Sequence, residues 1–154
     1  MIDNFSHITI NCRSLENSVR FYESIGLRAD ATFGEADLNR QGVATAFGLP
    51  TARLKVAHLL PREPSENMRI DLVEWLEPPL TGAAYPALNY PGLARLCFRV
   101  TDIEGTVQAL RARGVAFISD PQPFGAGIRS ACCTDPDGTF IQLIEGLKEV
   151  LERK

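Results

Sequence analysis

The sequence contains no run of about 20 apolar residues, the length that a helix needs to span a bilayer. We therefore expect no membrane-spanning segment and no membrane partner. Clusters of Lys and Arg are also missing, and the net charge is −3, whereas nucleic acid phosphates require concentrated positive charge. Nucleic acid is thus excluded as a main partner. The N-terminus has no basic stretch followed by an apolar core, so we expect no secretory signal and a cytoplasmic location.

Cysteine is scarce and lacks the spacing of a zinc site. The four cysteines are Cys12, Cys97, Cys132 and Cys133, of which the last two are adjacent. Without an export signal, we expect these thiols to be reduced. Three of them lie in apolar, strand-like runs, which predicts that they pack as small hydrophobic side chains.

An internal repeat organises the rest of the chain. Ser14 and Gly26 correspond to Asp102 and Gly114, which lie 88 positions later. Ser and Asp are preferred at the N-cap of a helix, and Gly is preferred just after its end. The repeat therefore predicts two matching helices, one in each half of a duplicated protein.

The spacing of the repeat changes toward the end of each half. Ile70–Glu74 resembles Ile141–Glu145, which lies only 71 positions later. The difference of 17 residues predicts an insertion in the first half, at residues 33–50. Apolar spacing within the insertion favours a short helix, although Gly42 weakens that pattern.

Each half is predicted to contain a strand, a helix and three further strands, in that order. The expected strands are Phe5–Cys12, Arg28–Phe33, Arg53–Leu60 and Met68–Trp75 in the first half, and Leu93–Val100, Val115–Ser119, Ile128–Thr134 and Thr139–Glu145 in the second. The expected helices are Leu15–Ile25, Ile103–Arg113 and a terminal helix at 147–154. We expect a single domain over residues 1–154, with a first module at 1–76, a Pro- and Gly-rich linker at 77–92 and a second module at 93–146.

Four segments carry a resemblance to a known family: Ser6–Ile10, Phe21–Leu27, Phe98–Ile103 and Asp135–Glu145. Together with the doubled module they resemble the vicinal oxygen chelate superfamily, and glyoxalase-like and methylmalonyl-CoA-epimerase-like members above all. Bleomycin resistance proteins and extradiol dioxygenases belong to the same superfamily. The resemblance implies an α+β fold in which two tandem βαβββ modules form a cup-shaped mixed sheet. It also implies a homodimer and a small-molecule substrate.

The resemblance further implies four side chains on the floor of the cup, at His7, Asp71, Arg95 and Gln142. Metal-using members hold a metal at these positions, so His7, Asp71 and Gln142 are candidate ligands for Zn, Ni, Co, Fe or Mn. Arg95 departs from the pattern because a guanidinium offers no acceptor to a cation. We therefore expect no cofactor, with a divalent metal as the alternative. An iron dioxygenase is not expected, because its site needs two His and a carboxylate, and His58 lies on a middle strand.

Several of these side chains also have structural interpretations. A buried Asp71 needs a partner, and an ion pair with Arg95 would supply one without any metal. Glu74 and Glu145 lie three residues after the floor positions Asp71 and Gln142, and an odd step on a strand changes face. We therefore expect both glutamates to point away from the cup.

The leading hypothesis is that the cup binds a small anionic organic molecule. If the protein is an enzyme, we expect lyase or isomerase chemistry, in which His7 removes a proton beside a carbonyl while Arg95 and Gln142 hold the oxyanion. The expected substrate-binding side chains are those of Arg95, Asn11, Cys97, Trp75 and Phe140. Two alternatives stay open: a metal-dependent glyoxalase-like or epimerase-like enzyme, and a bleomycin-resistance-like protein that sequesters a small molecule without catalysis.

Overall fold

The computed structural model describes residues 4–62 and 68–146. The elements in chain order are β1 (Ile8–Cys12), α1 (Leu15–Ser24), β2 (Leu27–Phe33), α2 (Arg40–Ala46), β3 (Arg53–Pro61), β4 (Ile70–Glu77), β5 (Leu96–Arg99), α3 (Ile103–Ala112), β6 (Gln122–Gly125), β7 (Ile128–Thr134) and β8 (Phe140–Glu145). A 3₁₀ turn at Glu35–Asp37 precedes α2. No helix in the two described ranges is long and apolar enough to cross a bilayer. The helix expected at 147–154 lies outside the described residues.

The strands form two four-stranded sheets, one in each of two compact units, Met1–Gly82 and Ala83–Lys154. The strand order is β1-β4-β3-β2 in the first unit and β5-β8-β7-β6 in the second. In both sheets the first pair is parallel and the other two pairs are antiparallel. The expected α+β class with two tandem βαβββ modules is therefore confirmed.

The register of the parallel pairs reproduces the repeat residue by residue. Ile8 pairs with Ile70 in the first sheet, and Leu96 pairs with Ile141 in the second. The first strands are thus related by 88 positions and the fourth strands by 71, as the sequence pattern predicts. Identical pairing means that equivalent side chains face the same side of each sheet, because a slip of one residue would reverse every face.

The first sheet buries one face against α1, which contacts β2, β3 and β4. Leu15 and Tyr22 lie on the inner side of the helix, and Tyr22 is fully buried. On the strands, alternate side chains such as Leu59 and Leu72 meet this helix face and are also fully buried. Each such side chain stabilises the fold by about 1.5–3 kcal/mol. The opposite face of the sheet is therefore the one free to build a site.

A carboxylate from the fourth strand binds the first turn of the helix in each unit. Glu74 accepts a hydrogen bond from the Leu15 N–H at 2.9 Å, and Glu145 accepts one from the Ile103 N–H at 3.1 Å. Both glutamates lie on the helix side of their sheets and satisfy backbone donors that have no partner within the helix. Their negative charge also complements the positive end of the helix dipole.

The two helices begin at the residues that the repeat predicts as N-caps. Ser14 accepts a hydrogen bond from the Asn17 N–H, and Asp102 accepts one from the Gly105 N–H. These caps satisfy a second helical donor in each unit. The entry into each helix is therefore held twice, by a local cap and by a distant carboxylate.

The second unit differs from expectation at its edge strand. Val115–Ser119 was predicted as a strand, but only Phe117 forms an isolated bridge there, with Cys133. The edge strand is β6, Gln122–Gly125, which pairs with β7. Its Pro123 lacks an N–H and is tolerated because an edge strand leaves half of its backbone groups unpaired. The β-rich composition of the earlier segment misled the prediction, because tertiary pairing and not propensity selects the edge.

The extra length of the first unit is divided between two places. His58 pairs with Asp71 and Cys132 pairs with Gln142, so the third strands are offset by 74 positions and the fourth strands by 71. Three of the extra residues therefore lie in the β3–β4 connection, and the other fourteen precede β3. The helix α2 forms in this longer part despite Gly42, whose N–H is capped by Asn39.

We predict that Glu145→Ala lowers the free energy of unfolding by about 1–2 kcal/mol, because it removes one of the two carboxylates that accept N–H groups in the first turn of α3. Glu145→Gln should cost less, since the amide oxygen still accepts the Ile103 N–H while the charge is lost. The matched control is Glu77→Ala, which removes a half-exposed carboxylate whose ion pair with Arg53 is 3.9 Å long. Urea unfolding measures all three changes. Equal losses for Glu145→Ala and Glu77→Ala would contradict the capping role.

Candidate functional site

The face of the first sheet that points away from α1 lines a cavity of about 430 Å³. Its walls come from β1, β3, β4 and the insertion that carries α2. On β1 the lining side chains are Thr9 and Asn11, and on β4 they are Asp71, Val73 and Trp75, which are alternate residues on each strand. The alternation places them on one face, opposite the buried core.

One end of the cavity is apolar. The insertion contributes Leu38, Val43 and Phe47, and the strands contribute Leu54, Val56, Val73 and Trp75. The Phe47 side chain is 64% exposed, with its ring centroid 6.3 Å from that of Trp75. Trp75 in turn donates a hydrogen bond from Nε1 to Asn11 Oδ1 at 2.8 Å. The insertion thus converts one face of the sheet into an apolar pocket.

An ionic contact ties the insertion to the sheet. Arg53 on β3 donates two hydrogen bonds to Glu35, at 2.7 and 3.1 Å, and Arg40 donates a third at 3.0 Å. The hydrogen bonds from Arg53 hold the pKa of the Glu35 carboxyl below its ordinary value. Glu35 therefore stays ionised, and it joins the segment before α2 to the strand that forms the cavity wall.

The other end of the cavity is polar and centres on Asp71. Its side chain is buried, and its ion pair with Arg69 joins Oδ1 to Nε at 2.8 Å. Arg69 also donates from Nη2 to Oδ2 at 3.2 Å. Two imidazoles approach the same oxygen, since Nε2 of His7 lies 3.5 Å from Oδ2 and Nε2 of His58 lies 3.6 Å from it. Three nitrogen-bearing side chains therefore surround one carboxylate.

The two ring nitrogens of His7 both face partners within the chain. Arg69 Nη2 and Ser6 Oγ each lie 2.9 Å from Nδ1, while Nε2 faces Asp71. A guanidinium can only donate, so Nδ1 accepts and the neutral ring carries its proton on Nε2. The protonated Nε2 then faces Asp71 Oδ2 at 3.5 Å.

The second unit carries a different polar group on the equivalent face of its sheet. Arg95 donates from Nε to Gln142 Oε1 at 2.7 Å, and Gln142 donates from Nε2 to Ser130 Oγ at 2.8 Å. Ser130 donates in turn to the Leu143 carbonyl at 3.1 Å. Gln142 and Ser130 are buried, whereas Arg95 is exposed. Both ends of the Gln142 amide are therefore engaged.

All four cysteines are free thiols. Cys97 and Cys132 pair on either side of Gln142 in the ladder, and burial raises the pKa of both thiols, although Arg95 opposes the shift. Burial raises the pKa of Cys133 to about 11. These groups are therefore uncharged at neutral pH and add apolar surface around Gln142.

The structure brings the predicted site residues together in groups, each within one unit. His7, Asn11, Asp71 and Trp75 share the cavity of the first unit. In the second unit Arg95, Cys97 and Gln142 are neighbours on one sheet face. Phe140 lines another cavity of that unit, about 340 Å³, beside Tyr85 and Leu93. The roles assigned to these residues stay predictions.

Sequence reasoning missed the cation that pairs with Asp71. Arg95 is one candidate from the sequence, and the ion pair that the first unit shows is with Arg69, two residues before Asp71 on the same face of the strand. That spacing of two was the available signal, since alternate residues of a strand share a face. His58 was interpreted as structural, and only the β3–β4 pairing places it opposite Asp71.

Comparison with known proteins identifies the family to which the chain belongs and solved structures with a similar fold. The family model described as Glyoxalase/Bleomycin resistance protein/Dioxygenase superfamily matches residues 4–143. A glyoxalase family protein from Bacillus cereus is 23% identical, with a TM-score of 0.83 over 94% of this chain and 95% of that chain. A search of curated proteins gave no match.

Two further solved structures are similar over most of their length. The fosfomycin resistance protein FosX from Listeria monocytogenes, in complex with Mn(II) and sulfate, is 21% identical with a TM-score of 0.61, over 98% of this chain and 99% of that chain. The trypanothione-dependent glyoxalase I of Leishmania major is 17% identical with a TM-score of 0.67, over 99% of this chain and 92% of that chain. At these identities the similarity shows the fold alone.

We predict that Arg69→Met lowers the free energy of unfolding by about 2 kcal/mol at pH 7, because it leaves the buried Asp71 carboxylate without its cation. Breaking a fully buried pair costs about 3–5 kcal/mol, and the partial exposure of Arg69 reduces the loss. The double variant Arg69→Met/Asp71→Leu should be more stable than Arg69→Met alone, since no charge is then stranded. Urea unfolding provides the comparison. A double variant that loses the sum of both single effects would contradict the pairing.

Proposed function

Since the chain belongs to the glyoxalase/bleomycin resistance protein/dioxygenase superfamily, we propose that it binds a small organic anion in the cavity of the first unit. The apolar body of the ligand lies against the insertion and the strands, and its anionic group lies at the polar end. The observation that carries the proposal is that one cavity has an apolar wall at one end and a cluster of nitrogen donors at the other. Ligand pockets in proteins commonly combine these two features.

The polar end supports an anionic group because its donors outnumber its acceptors. Asp71 is the one carboxylate among His7, His58 and Arg69. Arg69 Nη2 donates to Asp71 Oδ2 and to His7 Nδ1, while Nε lies 2.8 Å from Asp71 Oδ1 in an ionic contact that lacks hydrogen-bond geometry. No described residue accepts from its Nη1. A ligand oxygen would find charged or strongly polar donors there, where hydrogen bonds to ionised groups are the stronger kind.

Proton-transfer chemistry is the second candidate, and His7 is the residue on which it depends. A base must present a free ring nitrogen to the substrate, and both nitrogens of His7 face Arg69, Ser6 or Asp71. Lyase or isomerase activity therefore requires Arg69 to release Nδ1 when substrate binds, whereas binding alone requires no such change. Replacing His7 by Ala separates an enzyme from a sequestering protein. Lost turnover with retained affinity identifies an enzyme, and lost affinity with no turnover identifies a binder.

A divalent metal, as implied by the superfamily, does not fit the residues present. Arg69 places a permanent positive charge between His7 and Asp71, and the Gln142 oxygen already accepts from Arg95. Among the residues that the structure describes, no group of three or more His, Cys, Asp or Glu side chains is arranged to hold a metal ion. The structure of FosX contains Mn(II), which describes FosX and not this protein.

The homodimer and the cytoplasmic location expected from the resemblance and the sequence also stay predictions. Sedimentation of the purified protein measures the first, and localisation of the tagged full chain measures the second.

Trp75 is the single tryptophan of the chain and lines the cavity, so its fluorescence reports on occupancy. We predict that cyclohexanecarboxylate quenches or shifts this emission. It should also bind more tightly than acetate, with the affinity rising about tenfold for every 55 Å² or so of additional apolar ligand surface that is buried. Cyclohexylmethanol, which lacks the charge, should bind more weakly than the carboxylate.

Val43→Asp should abolish the fluorescence response, because it places a charge in the apolar wall of the cavity. Thr45→Asp is the matched control, since Thr45 lies on the same helix, is exposed and does not line the cavity. Equal responses of the wild type and Val43→Asp would contradict the proposed binding site.

A further prediction tests the conclusion on metals. Arg69→Ala should bind Zn²⁺ or Mn²⁺ at least about tenfold more tightly than the wild type, because a like charge leaves the neighbourhood of two imidazoles and a carboxylate. Arg28→Ala, which removes an exposed arginine paired with Asp30, is the control. Calorimetry at fixed ionic strength gives the affinities. A wild type that binds either metal as tightly as Arg69→Ala would show that Arg69 is no obstacle.

A further inference from the structure

The hydrogen-bond chain in the second unit can run in only one direction. Arg95 has donors and no acceptors, so Gln142 must turn its carbonyl oxygen toward Arg95 and its NH₂ toward Ser130. Ser130 then accepts at Oγ and donates its own O–H to the Leu143 carbonyl. Each link fixes the orientation of the next, and the chain ends on a cation at the surface.

Gln142 and Ser130, the inner members of this hydrogen-bond chain, occupy buried positions that apolar side chains could fill without loss of folding stability. Gln142 is 5% exposed and Ser130 is 7% exposed, and an unsatisfied polar group at such a position costs about 1–3 kcal/mol. The hydrogen bonds offset that cost, and the net result is a guanidinium held through Nε. Arg95 therefore presents Nη1 and Nη2 in a fixed plane, with less rotamer freedom left to lose when a ligand binds.

The charge of Arg95 is not neutralised by its surroundings. Among the described residues of its own unit, no carboxylate lies within ion-pair distance of it, whereas Arg111 and Arg129 of that unit each have such a partner. The nearest titratable neighbours are Cys97 and Cys132, and burial raises the pKa of both thiols. They stay protonated at neutral pH and contribute no negative charge.

We propose that Arg95 is an anion-binding group that takes a carboxylate or phosphate through two parallel hydrogen bonds from Nη1 and Nη2, and that Gln142 and Ser130 are its positioning residues. A planar guanidinium matches two oxygens of such an anion in this way. The residues that build the site all belong to the second unit. Gln142 acts through Arg95 here, and neither binds a metal nor contacts the ligand.

The test follows the arginine Nε–H resonances of ¹⁵N-labelled full-length protein during titration with sodium acetate and, separately, with inorganic phosphate, at constant ionic strength set by chloride. The Arg95 Nε–H is expected to exchange slowly with water because Gln142 accepts it, and to shift on titration with both anions. The anion that binds with the higher affinity shows whether the site prefers a planar carboxylate or a phosphate.

Arg95→Gln should remove the saturable binding. Arg95→Lys should weaken it about tenfold, because lysine keeps the charge and lacks the two parallel N–H donors of the guanidinium.

Arg99 supplies the matched control. It lies four residues after Arg95, at the end of β5, its side chain is exposed, and no described residue forms an ion pair with it, so Arg99→Gln removes an equal charge without the hydrogen-bond chain. Arg99→Gln should leave the affinity within about twofold of the wild type. If Arg99→Gln and Arg95→Gln weaken binding equally, or if Arg95→Gln leaves it unchanged, the anion does not bind specifically at Arg95.

Ser130→Ala and Gln142→Met test the positioning roles. Both should accelerate exchange of the Arg95 Nε–H and weaken anion binding about threefold to tenfold, measured at a temperature where each variant is fully folded. A purely structural role would lower the free energy of unfolding and leave the affinity and the exchange rate unchanged, which would overturn the positioning assignment. Should Gln142→Met fail to fold, Ser130→Ala gives the result by itself. Failure of either test leaves the fluorescence experiment on the first unit unaffected.

Discussion

The ionised side chain of Asp71 is buried on a sheet face, and that burial constrains everything around it. A carboxylate removed from water costs several kcal/mol unless a cation and hydrogen bonds replace its hydration. Arg69 supplies the cation, and His7 and His58 approach from the neighbouring strands. The polar end of the cavity thus exists because one buried charge must be satisfied, and three nitrogen-bearing side chains gather around that single carboxylate.

The second unit meets the same constraint in another way. The position equivalent to Asp71 holds the neutral amide of Gln142, so no buried anion demands a cation. The cation of this unit stands instead at Arg95, which is equivalent to His7, and its charge is left uncompensated among the described residues. Duplication therefore preserved the backbone register while the polar groups on equivalent positions came to differ in charge. One unit carries an internally neutralised cluster and the other an open guanidinium.

Asymmetry also arises from length. The insertion between β2 and β3 gives the first unit α2 and an apolar wall, whereas the corresponding strands β6 and β7 of the second unit are joined by only Ala126 and Gly127. An apolar wall matters for affinity because burial of ligand surface supplies most of the driving force, whereas polar contacts chiefly fix orientation. The first unit is therefore the one equipped to hold the body of an organic ligand, while exposed Arg95 in the second can hold only a charged group.

Sequence alone determined the order of the elements, the duplication, the helix caps and the faces of the fourth strands, since these depend on local spacing and on alternation along a strand. It also identified His7, Asn11, Asp71 and Trp75, because a family pattern and the alternation mark one face. Tertiary structure decided the rest. Which side chains surround Asp71, and where along β7 the edge strand pairs, depend on distances between strands. Local spacing places residues on one face of a strand, as it does for Arg69 and Asp71, but it does not say which strands become neighbours, because that is settled only when the strands lie side by side.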